Sequence, residues 1–238
     1  MTADDRPGPG ALTPPRGTRT RAFEEVLARI EERIEADGLT VGDRLPGERR
    51  LAEELQVGRS SIREALRVLE TLGVVSSQAG RGPDAGAVLI SRPGSALTGL
   101  LRLHLGLATL SMREVMDTRL MIEQWSAGQA ARSGTGLEGM ARALAAMDGA
   151  AGPDEFVEHD IAFHMAIAEA SGNRLTAAIM QALRDVLHRF AVDAVVRLGD
   201  TTALQADHRR VYEAVREGDA DAAAAAIAGH LDRVYPPL

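Results

Sequence analysis

Asp160 and His164 stand four residues apart, and His208 and His230 fall on two later helical stretches. The four-residue spacing puts Asp160 and His164 on one helical face. Three imidazoles and a carboxylate supplied by three helices can converge inside a bundle on a divalent cation. Such an imidazole-rich set suits Zn²⁺ or Ni²⁺, while the carboxylate, with water, leaves Mn²⁺ or Fe²⁺ open. A plainer reading stands beside this one. A single helical histidine is ordinarily a surface or core residue, and Asp160 with His164 can be a simple intrahelical pair. His104, His159 and His188 are left in that ordinary class.

Arginines form a second constellation. Arg49 and Arg50 open one short helical stretch, and Arg59-Ser60-Ser61-Ile62-Arg63 opens the next. Arg59 and Arg63 share the face opposite Ile62 and Leu66, where arginine can clamp phosphate or pair with guanine, and serine can bond to either. Residues 49–67 hold five Arg against three Glu, a local excess of +2 in a chain whose net charge is −7. Any one of these arginines alone would be read as a solvated helix face.

The elements that must position these residues follow from periodicity. Phe23, Val26, Leu27, Ile30 and Ile34 mark a helix ended by Gly38. A short helix around Leu51, Ala52 and Leu55, a turn at Gln56-Val57-Gly58, and a third helix burying Ile62, Ala65, Leu66, Leu69 and Leu72 come next. The period then changes to two strand-like runs, Val74–Ser77 and Ala87–Ile90, around a glycine-rich stretch. Three helices and a hairpin make a winged helix-turn-helix, whose second helix of the motif enters the major groove of DNA. Beyond Pro93 only helical periodicity is seen, with helices near Met112–Arg132, Pro153–Ala170, Asn173–Leu198, Ala203–Glu217 and Ala220–Val234. The fold class is therefore mainly α: a winged helix-turn-helix followed by an all-α bundle of about six helices. Its parts are a disordered arm (1–20), a DNA-binding domain (21–92), a linker and connecting helix (93–110) and a ligand- and metal-binding domain (111–238).

Composition excludes several classes. The chain of 238 residues has no cysteine, which removes disulfide scaffolds and thiol chemistry. No apolar run is long enough to span a membrane, and the N-terminus does not read as a signal peptide, so a cytoplasmic location is expected. The acidity lies mostly in the second part, −1 for residues 1–92 and −6 for 93–238, so overall charge neither requires nor forbids a DNA partner.

Residues 22–90 resemble the DNA-binding domain of the GntR family of regulators. The matching residues are Gly42-Asp43-Arg44-Leu45-Pro46, Glu48-Arg49, Leu51-Ala52, Arg59, Arg63-Glu64-Ala65-Leu66, Leu69-Glu70 and Gly73-Val74. The resemblance implies DNA contacts from Arg49, Arg59 and Arg63, with Ser60 and Ser61 beside them, and a wing tip near Gly80 and Arg81 that reaches the minor groove. Gly47 and Gly58 depart from it, standing where the family has Ser or Thr N-caps. Glycine there costs only a few tenths of a kcal/mol, and the wing from Gly80 to Gly86 is longer than usual. Downstream, Asp160-x-x-Phe163-His164 with Ser171-Gly172-Asn173, and His208 with the later His230, are similar to the FadR-type C-terminal domain of the same family. That resemblance implies metal ligation by Asp160, His164, His208 and His230, and an acidic effector met by Arg119, with Asn173 in the same site. An ordinary Arg119–Glu123 pair remains the alternative for Arg119.

Together these readings describe a homodimeric, DNA-binding transcription regulator, a repressor, which binds a two-fold operator and responds to a small carboxylate near a divalent metal. Zinc is the first expectation for that metal, with nickel or manganese next. The rival reading is a metal-dependent enzyme built on the Asp/His set. It needs a base or a substrate-positioning set, has no H-E-x-x-H motif to offer, and leaves the winged helix unexplained. An adaptor whose winged helix binds protein is weaker still, given the arginine pattern.

Overall fold

The computed structural model describes residues 16–78 and 86–235, which fall into two compact units, Met1–Ser91 and Arg92–Leu238. Among the described residues, ten helices and one two-stranded sheet make the fold mainly α.

Helix α1 spans Arg16–Ala36, so residues 16–20, expected as part of a disordered arm, belong to its first turns. The physical reason is propagation: once packing anchors a helix, each further residue adds a hydrogen bond at little entropic cost. The anchor is Val26 and Ile30, both buried, with Leu27 and Ile34 packed alongside; the side chain of Phe23 lies outside the described residues. Helices α2 (Glu48–Glu54) and α3 (Arg59–Thr71) begin at Gly47 and Gly58, and neither glycine supplies a side-chain cap. The turn between them is closed by Gln56 at φ 53°, and Arg29 of α1 donates to the Leu55 carbonyl at 2.7 Å, tying α1 to that turn. Ile62, Ala65, Leu66 and Leu69 of α3 enter the core as the period predicts. Leu72 does not. It is the C-cap, past the last helical residue, and is left 46% exposed.

Strands β1 (Val75–Gln78) and β2 (Gly86–Leu89) pair antiparallel, with Val75 opposite Leu89 and Gln78 opposite Gly86. The segment around Arg44 adds an antiparallel bridge to Val88, and Leu45 donates to the Ala87 carbonyl at 2.9 Å. A Cβ at Gly86 would stand 3.0 Å from the Leu45 carbonyl oxygen, so the close approach of that third segment favours glycine.

The second unit holds the connecting helix α4 (Gly94–Gly106) and a bundle of six: α5 (Met112–Ser133), α6 (Leu137–Asp148), α7 (Pro153–Ala170), α8 (Arg174–Leu198), α9 (Thr202–Glu217) and α10 (Ala220–Val234). Helix α5 starts with a reciprocal capping box of Ser111 and Glu114, α8 is capped by Asn173 and α10 by Asp219. Helix α6 is the one whose span the periodicity does not give. Its glycines serve packing: a Cβ at Gly139 would stand 3.2 Å from the Ala166 Cβ on α7, so the two helices approach closely there. One core built on Phe163, Ile167, Met140, Val211 and Ile227 joins α6, α7, α9 and α10, and it surrounds the polar centre described next.

Candidate functional site

Three helices carry the ligand-type residues into one buried centre. Helix α7 supplies Asp160 and His164 one turn apart, α9 supplies His208 and α10 supplies His230. Each of the four offers a ligand atom within 4.8 Å of all the others. The three Nε2 atoms face one oxygen: Asp160 Oδ1 lies 2.9 Å from His208, 3.5 Å from His164 and 3.9 Å from His230. The residues singled out as ligands from the sequence are therefore brought together, and all four are buried.

Hydrogen bonding tests whether a cation fits. His164 Nδ1 lies against Glu123 Oε2, which can only accept, so Nδ1–H donates there, and in the neutral imidazole the Nε2 lone pair faces inward. His164 Nε2 and His208 Nε2 are buried without a hydrogen-bond partner. His208 Nε2 has the distance of a hydrogen bond to Asp160 but not its angle. Buried nitrogens left in this way demand an explanation, and lone pairs converging on a carboxylate oxygen suit a divalent cation. The donor set, three imidazoles and one carboxylate, is one that zinc accepts.

Two helices add charged groups that touch this centre. Arg119 and Glu123 of α5 pair at 2.6 Å, and Arg184 of α8 reaches Glu123 at 3.2 Å and Asp160 at 2.8 Å. All are buried, yet Arg119 Nη1 and Arg184 Nε have no hydrogen-bond partner among the described residues. Both arginines line a small cavity of about 10 Å³ together with Asp160, His230 and Tyr235. Arg184 was not singled out from the sequence, although a signal existed. It lies on the apolar stripe of Met180, Leu187 and Ala191, where a charged residue has no solvent to face. Asp207, buried on α9 between Arg210 and Arg233, is a second such residue, and Arg233 reaches it at 2.7 Å.

Asn173 does not join the centre. It is exposed, and its Oδ1 is committed to the amides of Leu175 and Thr176 at the start of α8. Its place in the motif is explained by helix capping.

The electrostatics follow from burial opposed by pairing. Burial pushes the Glu123 and Asp160 carboxyls up, but His164 and Arg184, with Arg119 also acting on Glu123, outweigh it and hold both well below the usual carboxylate range. Burial pushes His208 down against the pull of Asp160, and pushes His230 well down, with His208 and His164 adding to the effect. In all four groups the folded value is depressed, so the unfolded chain takes up protons that the folded state refuses. Stability is then fully present above the unfolded values, about 6.5 for histidine and about 4 for carboxylates, and is lost as pH falls. The melting temperature of metal-free protein is expected to drop between pH 7.5 and 5.5, and further below pH 5; a flat calorimetric profile over this range would contradict the network.

In the first unit Arg59 and Ser60 are exposed at the first turn of α3, and Ser61 is half-buried. Arg49 is exposed beside Glu53 at 3.7 Å. Arg63 pairs with Glu48 at the start of α2, Nη2 to Oε2 3.1 Å, which fixes its guanidinium between the two helices. Gly80 and Arg81 lie outside the described residues.

Comparison with known proteins agrees with both halves. Residues 22–83 match the family described as bacterial regulatory proteins, gntR family, and residues 114–233 match the FCD domain. The chain belongs to the GntR family. It is 30% identical over 231 residues to the Glc operon transcriptional activator of Escherichia coli (strain K12), covering 92% of this chain and 89% of that one. It is 31% identical over 232 residues to the HTH-type transcriptional repressor NanR of Cronobacter sakazakii, covering 91% and 85%. Against LutR of Bacillus subtilis (strain 168), an HTH-type transcriptional regulator, identity is 30% over 208 residues, covering 84% and 93%. A solved Streptococcus agalactiae GntR structure is similar at a TM-score of 0.66 with 26% identity, covering 89% of this chain and 98% of that one. No helix among the described residues is long and apolar enough to cross a membrane.

Proposed function

We propose that this GntR-family chain is a cytoplasmic, homodimeric transcription repressor of the FadR subfamily, releasing its operator when a small carboxylate enters the bundle beside a bound zinc ion. The observation that carries this reading is the buried centre itself. Asp160, His164, His208 and His230 present converging ligand atoms, and two guanidiniums with unpartnered N–H groups line the adjoining cavity. A bound cation would be held by those four residues and would add positive charge beside Arg119 and Arg184. An organic acid answers that charge, because each guanidinium can give it a charge-assisted hydrogen bond. Arg184 thus shares the role first given to Arg119. Nickel or manganese would fit the same set with different preference.

DNA reading is assigned to Arg49, Arg59, Ser60, Ser61 and Arg63, with the wing around Gly80 and Arg81 in the minor groove. A dimer is supported by α4 and its C-cap, where Leu100, Leu103 and Leu107 are exposed, the kind of apolar surface that marks an interface. A two-fold operator would match it.

The test uses a selected operator followed by fluorescence anisotropy. Arg59→Ala should weaken specific binding by about ten- to a hundredfold, while Arg49→Ala should weaken all sequences alike and lower the salt slope by about one. A panel of small carboxylates should release DNA by about 5–150-fold, provided the acid favours one arrangement of the DNA-reading domains. Arg119→Ala and chelated protein should lose that response. An acid response that survives both changes, or a response to neutral ligands alone, would place the effector elsewhere.

A further inference from the structure

The cavity beside Arg119 is too small for the ligand its charges call for. Its volume of about 10 Å³ is room for about one water. An organic acid therefore cannot enter unless a wall moves, and the structure shows which one. Every wall residue except Tyr235 lies inside a helix, and every one except Val234 and Tyr235 is buried. Tyr235 is the C-cap of α10, with non-helical φ −132° and ψ 72°, and one amide hydrogen bond of 2.8 Å to the Leu231 carbonyl holds its backbone. Helix ends open at lower free energy than packed helix centres.

We infer that Tyr235 is the removable wall of this cavity, and that an acid binds by taking the place of its ring beside Arg119. The inference rests on the acid-binding reading above. The Tyr235 ring centroid stands 5.4 Å from the Arg119 guanidinium carbon, a cation–π contact. Its hydroxyl is buried without a hydrogen-bond partner among the described residues, and so is Arg119 Nη1. The closed arrangement thus leaves two polar groups unsatisfied. An incoming carboxylate would replace the ring with a charge-assisted hydrogen bond to Arg119 and release the hydroxyl to water. Both changes favour exchange. Tyr235 also follows His230 of α10 by five residues in sequence, so the displaced residue adjoins the helix end that carries a candidate ligand.

The chain has only two tyrosines, Tyr212 and Tyr235, which makes the motion readable. Zinc-loaded full-length protein labelled with 3-fluorotyrosine should show two fluorine resonances, assigned with Tyr212→Phe. Titration with malonate should move the Tyr235 resonance towards that of free tyrosine and leave Tyr212 in place. By calorimetry Tyr235→Ala should bind malonate about tenfold more tightly, because a closed state holding about nine-tenths of the population no longer competes. Two results would overturn the role of Tyr235 while leaving the acid site standing. One is malonate binding that Arg119→Ala abolishes but that leaves the Tyr235 resonance unmoved. The other is binding to Tyr235→Ala that is equal to or weaker than wild type. Failure of malonate, acetate and lactate to bind either protein would remove the acid-binding reading and this inference together.

Discussion

Glu123→Ala is expected to destabilise the bundle by about 3–5 kcal/mol, the cost of leaving buried charges without their partner. One carboxylate serves three elements here. Its Oε1 accepts from Arg119 Nε at 2.6 Å on its own helix and from Arg184 Nη2 at 3.2 Å on α8, and its Oε2 accepts from His164 Nδ1 on α7. Truncation leaves two guanidiniums and an imidazole in a region with little water. Arg184 keeps Asp160 at 2.8 Å, but Arg119 keeps no other ion pair among the described residues. A domain holds about 5–15 kcal/mol in total, so this single change can consume much of the margin. Glu123→Gln keeps the shape and one acceptor and should cost clearly less. Urea unfolding of both variants reads the difference. Similar, small effects for Ala and Gln would mean that the network carries little of the stability. Glu123 also orients a candidate ligand through His164. A neighbour of that kind typically tunes metal affinity by about 10–100-fold, so Glu123→Gln should still fold yet bind zinc more weakly.

What could be read beforehand follows from how local each signal is. Helices α7 and α10 are legible to the residue because their ends are written nearby: Pro153 at the first helical position, and Asp219 as a cap to the Ala222 amide at 2.9 Å. Helix α6 is not, because glycine carries two meanings. Gly136 and Gly139 read as breaks along the chain, whereas in space they let α6 lie against Ala166 and Ala170 of α7. The clustering of Asp160, His164, His208 and His230 is legible because histidine and aspartate at helical spacing are few and chemically distinctive. The charges around it are less so. Glu123 shows its neighbour Arg119 in the sequence, but its other partners lie 41 and 61 residues away. Asn173 failed for the opposite reason: a local motif does local work, capping α8, and proximity to the ligand set along the chain did not bring it into the centre. Cavity volume and the stacking of Tyr235 on Arg119 exist only after the helices have packed.

Chelation of a bound cation is expected to lower the melting temperature by about 5–10 °C. A ligand present at about a hundred times its dissociation constant stabilises by about 2.7 kcal/mol, and each kcal/mol is worth about 2–4 °C in a domain of this size. The centre gives specific reasons for an effect of this order. His164 and His208 bury unpartnered Nε2 atoms, and a cation would satisfy both at once. Burial has already driven His208 and His230 towards their neutral forms, so protons compete weakly with metal near neutral pH. The negative charge of Asp160 is pinned in place by Arg184. Protein purified without a tag should carry close to one divalent cation per chain, and His208→Ala or His230→Ala should remove most of it while the fold persists. The same variants should no longer lose melting temperature on chelation, because only the metal-bound state has that stability to lose. Tag-free protein that contains no cation by elemental analysis, and whose melting point neither Zn²⁺ nor Ni²⁺ raises, would show that the cluster is a polar core and not a metal site.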